Sequence, residues 1–138
     1  MSSRIIIANQ FFKEVAPDAN ERDARRRLIR EYFATHPGQA LFWTGGAEAE
    51  EEAQAIARRE GKVTFSMTAG GRAIDSMARR LPPGQAALAY RFGSAHFAAA
   101  ASGEVEVIVR KYNAASIFVR TELPVLLKNL GVRRIKFR

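Results

Sequence analysis

The chain contains no cysteine among its 138 residues. This absence excludes disulfide bonds, thiolate metal sites and a cysteine nucleophile, and it favours a reducing compartment, so we expect a cytoplasmic protein. The only histidines are His36 and His96, too few for a histidine metal cluster, and we expect neither a metal nor a cofactor. No apolar stretch approaches the roughly 18 residues of a transmembrane helix, and the run at residues 5–8 is too short for a signal peptide, so we expect no membrane association.

Acidic residues are scarce relative to basic ones, with 14 Asp and Glu against 22 Lys and Arg, a net charge of +8. A surface of this sign attracts nucleotide phosphates, nucleic acid or an acidic protein, but the charge does not tell which. The arginine-rich stretches at residues 22–27 and 133–134 can contact phosphates, although a solvated face is the commoner role of such stretches. With 47% hydrophobic residues and no linker or repeat, the sequence predicts one domain over residues 1–138.

Helical patterns predominate in the first two thirds of the chain. We treat residues 1–17 as a short N-terminal arm and leave its structure open. From Asp18 onward the pattern changes, because Asp18 or Asn20 can cap a helix. An apolar stripe at helical spacing follows, formed by Leu28, Ile29, Tyr32 and Phe33. Further helices are predicted over residues 48–60, 74–81 and 85–101.

Strand patterns are concentrated in the last third, where residues 105–109, 117–119 and 132–137 are rich in β-branched and aromatic side chains. A helix over residues 123–130, with Pro124 in its first turn, separates the last two runs. This order predicts an α/β fold with a small parallel β-sheet in the C-terminal part, flanked by helices, and a mostly helical N-terminal part. Ligand sites in such sheets lie beyond the carboxyl ends of the strands, where this interpretation places Glu122.

Glycines mark two further connections. An apolar run at residues 40–43 ends at Gly45-Gly46, and residues 62–68 indicate a short strand or extended turn before Gly70-Gly71. Neither glycine pair belongs to a Walker-type phosphate loop, and no serine lies in a nucleophile elbow. Both histidines are more typical of surface positions, although together they could supply an acid and a base.

Four short blocks follow one another along the chain: residues 41–45 (LFWTG), residues 64–68 (TFSMT), Tyr90 with Ser94 and Phe97, and Thr121-Glu122. In order and spacing they resemble the signature blocks of the ADP-ribosyl cyclase and NAD glycohydrolase superfamily, and most closely its bacterial members that occur as toxin domains of polymorphic secretion systems. The likeness covers residues 40–138 and leaves residues 1–39 as an arm and a helix. It implies NAD or NADP as substrate, an antibacterial toxin role and an acidic immunity protein as partner.

The resemblance also implies roles for single residues. Trp43 would stack on the nicotinamide ring, and Tyr90, where the family usually has tryptophan, would form a second aromatic wall. A simpler interpretation makes Trp43 a buried core anchor and Ser94 a helix-packing contact. The remaining substrate-binding positions that the resemblance implies are Thr44, Ser66, Ser94, Ser116 and Phe118.

The resemblance gives Glu122 the catalytic role. Nicotinamide leaves a cationic pyridinium as a neutral molecule, so its departure needs no general acid. Positive charge then builds up on the ribose, and an ionised glutamate can stabilise that charge or capture the sugar covalently. Glu122 can equally stabilise the N-terminus of the following helix through the helix dipole, and the two roles are compatible.

The largest departure from the family pattern is Ser66, because the family places a glutamate there that influences whether the product is cyclised or hydrolysed. The resemblance therefore favours NAD cleavage without choosing a product. Two other functions stay open: a basic ribonuclease toxin that uses the histidines, and a catalytically degenerate module that binds nucleotides without turnover.

Overall fold

The computed structural model describes residues 3–111 and 114–138. The fold is α/β, with a small parallel sheet in the C-terminal part and a mostly helical N-terminal part, as predicted. In chain order the elements are α1 (Ser3–Val15), α2 (Arg22–Phe33), β1 (Leu41–Thr44), α3 (Gly46–Glu60), a 3-10 turn (Phe65–Met67), α4 (Ala69–Ala78), α5 (Pro83–Ala100), β2 (Gly103–Val109), a π-helix (Phe118–Glu122), α6 (Leu123–Lys128) and β3 (Val132–Phe137).

The three strands lie in the order β1-β2-β3 and are all parallel. Trp43 of β1 is opposite Ile108 of β2, and Val105 of β2 is opposite Ile135 of β3. Because all three strands run the same way, their carboxyl ends meet at one edge of the sheet. Any site built there can draw on the loops that follow each strand.

Side chains alternate between the two faces of the sheet, as the pleat requires. Leu41 and Ile108 pack against α3 in a small apolar cluster with Ala53, Ile56 and Ala57. On the opposite face, Phe42, Val105 and Val107 belong to a larger cluster that also receives side chains from α4, α5 and α6. The sheet is therefore covered by helices on both faces, and both clusters leave its carboxyl edge open for ligands.

The N-terminal arm, whose structure the sequence left open, contains helix α1. Ile7, Phe11 and Phe12 are buried in the larger cluster, and the Phe11 ring stacks on Phe33 at 5.8 Å between centroids. Helix α2 presents the predicted stripe to the same cluster. The predicted caps are wrong, because α2 begins after Glu21 with no side-chain hydrogen bond at its N-terminus.

The predicted strand over residues 117–119 is also wrong. Ser116 Oγ accepts a hydrogen bond from Val119 N at 3.2 Å, and Phe118 starts a π-helix that runs directly into α6. Phe118 is buried against Phe42, with ring centroids 6.1 Å apart. Tertiary packing and a serine cap thus outweigh the strand propensity of isoleucine and valine. Glu122 consequently ends a helical turn and not a strand.

The segment over residues 62–68 was predicted as a strand or extended turn, but only Val63 forms a bridge, to Ala40, and a 3-10 turn follows. Gly70 and Gly71 lie inside the first turn of α4, which starts earlier than predicted. A Cβ atom at Gly71 would lie 1.8 Å from the carbonyl oxygen of Phe65, and one at Gly70 would overlap the Phe33 ring. These glycines therefore allow close packing of α4 and do not mark a loop.

The strands over residues 105–109 and 132–137 and the helices over 48–60 and 85–101 are confirmed to within a few residues. Pro124 lies in the first turn of α6, as predicted. Helix α6 ends at Lys128, two residues before the predicted end at Leu130. Across the described residues, no helix combines the length and apolarity that a bilayer crossing requires.

Candidate active site

A cavity of about 600 Å³ opens at the carboxyl edge of the sheet. Thr44 ends β1 and lines the cavity, and Lys111, two residues beyond the end of β2, lines it as well. The opposite wall is formed by α5 and the π-helix, which contribute Ser94 and Glu122. The cavity has the size of a small-molecule or cofactor site.

All eight residues that the sequence analysis proposed for the site line this one cavity. They are Trp43, Thr44, Ser66, Tyr90, Ser94, Ser116, Phe118 and Glu122. In the sequence they are spread over about 80 positions and five segments, and the fold brings them together. Their proximity is a fact of the structure, while their roles stay predictions.

Glu122 is a buried carboxyl group in the cavity wall, with 7% of the residue exposed. It has no hydrogen-bond partner anywhere in the described parts of the chain. Removal from water without a compensating charge raises the pKa of Glu122 to about 8. In the free protein at neutral pH this carboxyl group is therefore largely protonated. A strongly raised pKa in a cleft is typical of catalytic carboxylates.

The π-helix is held in place from β1. Thr44 Oγ1 donates a hydrogen bond to Ser116 Oγ at 3.1 Å, and that same hydroxyl caps the turn by accepting from Val119 N. Phe118 packs on Phe42 of β1 one turn before Glu122. The carboxylate-bearing turn is therefore fixed at both its polar cap and its apolar side, which limits movement of Glu122.

Tyr90 and Asp75 form a polar pair on the helical wall. The Tyr90 hydroxyl donates a hydrogen bond to Asp75 Oδ1 at 2.8 Å, from α5 to α4. Burial, followed by this hydrogen bond to a carboxylate, raises the pKa of Tyr90 to about 12, with a smaller contribution from the charge of Glu50. The phenol is thus neutral, and two carboxylates lie near it in the cavity wall.

Aromatic rings surround this end of the cavity. Trp43 lies half-buried on β1 and packs against the small cluster under α3, with part of the side chain in the cavity wall. Phe65, from the 3-10 turn, lies 6.3 Å from Tyr90 between ring centroids. Trp43 is therefore a core contact on one side and part of the cavity wall on the other.

Two hydroxyl groups come from the segment before α4. Ser66 occupies the 3-10 turn and lines the cavity. Thr64 is 2% exposed, and its Oγ1 has no hydrogen-bond partner within the described residues. A buried hydroxyl without a partner costs about 1–3 kcal/mol, so a ligand that supplies a partner would gain from it.

The loop after β1 creates an opening toward a helix N-terminus. Gly45 and Gly46 both have positive φ angles, of 126° and 79°, and line the cavity. A Cβ atom at Gly45 would lie 2.7 Å from the backbone nitrogen of Lys111, so only glycine fits there. Helix α3 starts at Gly46 without a side-chain cap, and its free N–H groups favour an anion.

Sequence reasoning missed several lining residues, namely Glu50, Gln54, Thr64, Asp75 and Lys111. Lys111 follows a strand at the carboxyl edge, which was a usable signal, whereas nothing in the sequence relates Asp75 to Tyr90. Neither of the predicted arginine-rich stretches lines the cavity, and Lys111 is the one cationic side chain among the described lining residues.

The two histidines lie apart. His36 is exposed beside a turn and lines neither of the two cavities, and His96 lines a separate cavity behind α5. Between residues 3 and 138, leaving out 112 and 113, no group of three His, Asp or Glu side chains is arranged to hold a metal ion.

The sequence matches no protein-family model and no curated protein. The fold, in contrast, is similar to solved cyclase structures. An ADP-ribosyl cyclase complexed with N1-cIDPR superimposes with a TM-score of 0.65 at 19% identity, over 96% of this chain and 63% of that one. Aplysia cyclase complexed with substrate NGD and product cGDPR gives 0.65 at 20% identity, over 96% and 62%.

Porcine CD38 complexed with a covalent intermediate, ribo-F-ribose-5'-phosphate, has a TM-score of 0.57 at 16% identity, over 99% of this chain and 80% of that one. The chain spans less than two thirds of the length of the two cyclases. The likeness extends through α1 and α2, beyond the region that the sequence blocks indicated. At these identities it establishes the fold.

Proposed function

We propose that this chain cleaves the nicotinamide–ribose bond of NAD or NADP, with Glu122 as the catalytic carboxylate. The observation that carries the proposal is a buried carboxyl group that shares one cavity with Trp43 and Tyr90. The similar fold of proteins whose structures hold NGD, cGDPR and a covalent ribose-5'-phosphate intermediate supports this class of substrate.

The aromatic and acidic end of the cavity suits a nicotinamide ring. Trp43 and Tyr90 offer π faces to a cationic pyridinium, which prefers such faces to water. One carboxylate oxygen of Asp75 accepts a hydrogen bond from the Tyr90 hydroxyl. The other oxygen can accept a hydrogen bond from the amide nitrogen of the nicotinamide carboxamide. The charges at this end therefore favour the positive part of NAD.

Glu122 acts on the ribose. As the glycosidic bond breaks, electrons leave with neutral nicotinamide and positive charge builds up on the sugar. An ionised carboxylate about 4 Å away stabilises that charge by about 4 kcal/mol at an effective dielectric of about 20, roughly three decades in rate. The pyridinium of the bound substrate favours the ionised form of Glu122, so binding itself prepares the carboxylate.

Two other groups in the cavity wall suit the pyrophosphate. The uncapped N-terminus of α3 and the ammonium group of Lys111 both favour negative charge. A cavity that carries both cationic groups and carboxylates can bind both the pyrophosphate and the cationic base of a dinucleotide.

The deciding experiment incubates purified protein with NAD and with total RNA separately, and follows nicotinamide release and RNA integrity. We expect nicotinamide release with intact RNA, and a loss of about three decades in rate in Glu122→Gln. Glu51→Gln, an exposed change on α3, is the matched control and should retain full activity. Degraded RNA with intact NAD would overturn the proposal in favour of a ribonuclease.

The ribonuclease alternative loses its main support, because the two histidines lie in different places. His96 lines the second cavity, and His36 lines neither cavity. The alternative of a degenerate binding module rests on Ser66, which supplies a hydroxyl where the family has a carboxylate. It predicts saturable NAD binding without nicotinamide release in the same assay.

We further propose a toxin role, with an acidic immunity protein as partner, on the resemblance of the sequence blocks and the net charge of +8. Induced expression in a bacterium should deplete NAD and arrest growth with the wild-type chain and not with Glu122→Gln. Growth arrest that Glu122→Gln also causes would separate toxicity from NAD cleavage.

A further inference from the structure

A second cavity, of about 360 Å³, lies behind the segment that carries Glu122. Arg120 and Thr121, the two residues before Glu122, line this cavity, and α1 and α5 form its other walls. Its interior is apolar, with Ile7, Phe92 and Val125 among the lining side chains. The space is within the range of small-ligand pockets.

Three arginines line this cavity: Arg4 from α1, Arg91 from α5 and Arg120 from the π-helix. No carboxylate is among its described lining residues, and none of the three forms an ion pair within residues 3–111 and 114–138. Arg120 uses only Nε, in a 3.4 Å bond to the Ala114 carbonyl, so its terminal nitrogens are available. Guanidinium groups that gather without a counter-charge repel one another, and an anion would relieve that repulsion.

His96 completes the inner wall and contributes no positive charge. Its ring lies 4.7 Å from Phe92 and 6.0 Å from Phe33 between centroids. Burial, together with the charge of Arg4, lowers the pKa of His96, so the imidazole is neutral at pH 7. The cavity thus combines an aromatic interior with a cationic rim.

We propose that this cavity binds a small organic anion with an apolar body, held at its charged group by Arg91 and Arg120 and at its body by Phe92 and Val125. A carboxylate, sulfonate or phosphate can accept paired hydrogen bonds from a guanidinium fork, and an apolar body displaces water from the aromatic interior. Inorganic anions fit only the first of these two requirements. The proposal is independent of NAD cleavage.

The test uses anilinonaphthalene sulfonate, a fluorescent anion with an aromatic body, and requires no catalytic turnover. We expect saturable one-to-one binding, with affinity at least about tenfold weaker in a double variant, Arg91→Gln with Arg120→Gln. The matched control is Arg26→Gln with Arg30→Gln, two exposed positions on α2 that line neither cavity and carry the same charge change.

Two outcomes would overturn the proposal. One is equal weakening by both double variants, which would show that net charge alone attracts the probe. The other is loss of binding in Trp43→Ala with affinity unchanged in the Arg91 and Arg120 variant, which would place the probe in the first cavity. Inorganic sulfate should compete only at much higher concentration than the probe; competition at equal concentration would also contradict the proposal.

Discussion

The two cavities on either side of residues 118–125 differ in the sign of their charge. The first presents Glu50, Asp75 and Glu122 with a single lysine, and the second presents three arginines and no carboxylate among its described lining residues. The chain as a whole has a net charge of +8, whereas acidic side chains outnumber basic ones in the lining of the first cavity. Net charge therefore describes what the surface attracts and does not indicate the chemistry of the site.

The difference also concerns burial. Glu122 is buried and without a hydrogen-bond partner in the described chain, whereas the arginines of the second cavity lie at its exposed rim. A desolvated carboxyl group changes its protonation, while a solvated guanidinium keeps its charge. The Glu122 carboxyl group should therefore change its charge between about pH 4.5 and 8, whereas the arginines of the second cavity keep theirs.

The largest effect should appear in the pH dependence of the reaction. Since Glu122 has a pKa of about 8 in the free protein and acts as an anion, kcat/KM should rise about tenfold per pH unit up to about pH 8 and then level off. The profile is measured as kcat/KM for nicotinamide release between pH 5.5 and 9, after the residual rate of Glu122→Gln at each pH has been subtracted. A flat profile from pH 6 to 8 would contradict the assigned role.

The free energy of unfolding should fall as Glu122 ionises, whereas the activity should rise. A carboxyl group whose pKa is raised by folding makes its full contribution to the free energy of unfolding below its unfolded pKa of about 4.5. That contribution declines above pH 4.5 and is lost once the pH passes about 8. The wild-type chain should thus lose a few kcal/mol of unfolding free energy relative to Glu122→Gln between pH 5 and 9. Urea unfolding at the two pH values tests it. Parallel changes in both proteins would show that Glu122 is not desolvated.

Lysine and arginine substitutions compare the two cavities directly. Lys111→Gln removes the cation that we propose to bind the pyrophosphate, and we expect KM for NAD to rise about five- to tenfold with little change in kcat. Arg91→Gln removes the same charge from the second cavity and should leave both constants within about twofold. Equal effects of the two variants would show that the overall field, and not the site, holds the phosphates.

The smallest effect concerns Thr64. Because its buried hydroxyl lacks a partner within the described residues, Thr64→Val should stabilise the ligand-free protein by about 1 kcal/mol and weaken NAD binding several-fold. Thermal unfolding with and without NAD separates the two contributions. Thr35→Val is the comparison, since its Oγ1 is also buried and unpartnered but lies outside both cavities; it should affect stability alone.

Short sequence segments identified eight of the residues that line the first cavity and missed others, Asp75 and Lys111 among them. They did not predict the local structure of residues 116–122. Isoleucine and valine in this segment favour a strand, but the Ser116 cap and the burial of Phe118 stabilise a helix. The serine before the run was a signal that could have been used.

Other features depended on tertiary contacts that the sequence does not show. The Asp75–Tyr90 hydrogen bond joins two helices, and nothing in the sequence near Asp75 indicates it. Helix α1 is a different case, because Ile7, Phe11 and Val15 follow one another at helical spacing and predict an apolar stripe. That helix was readable in principle from the positions that contribute to the larger cluster.

The wide turn before α6 makes this part of the chain sensitive to its length. A π-helix holds one residue more than an α-helix over the same turn. If the turn keeps its winding, deleting one residue after Phe118 moves each later side chain back by one position, a rotation of about 100° around the helix axis. The carboxyl group would then occupy the place of Thr121, facing the arginines of the other cavity. Single-residue insertions and deletions here should therefore be far less tolerated than substitutions.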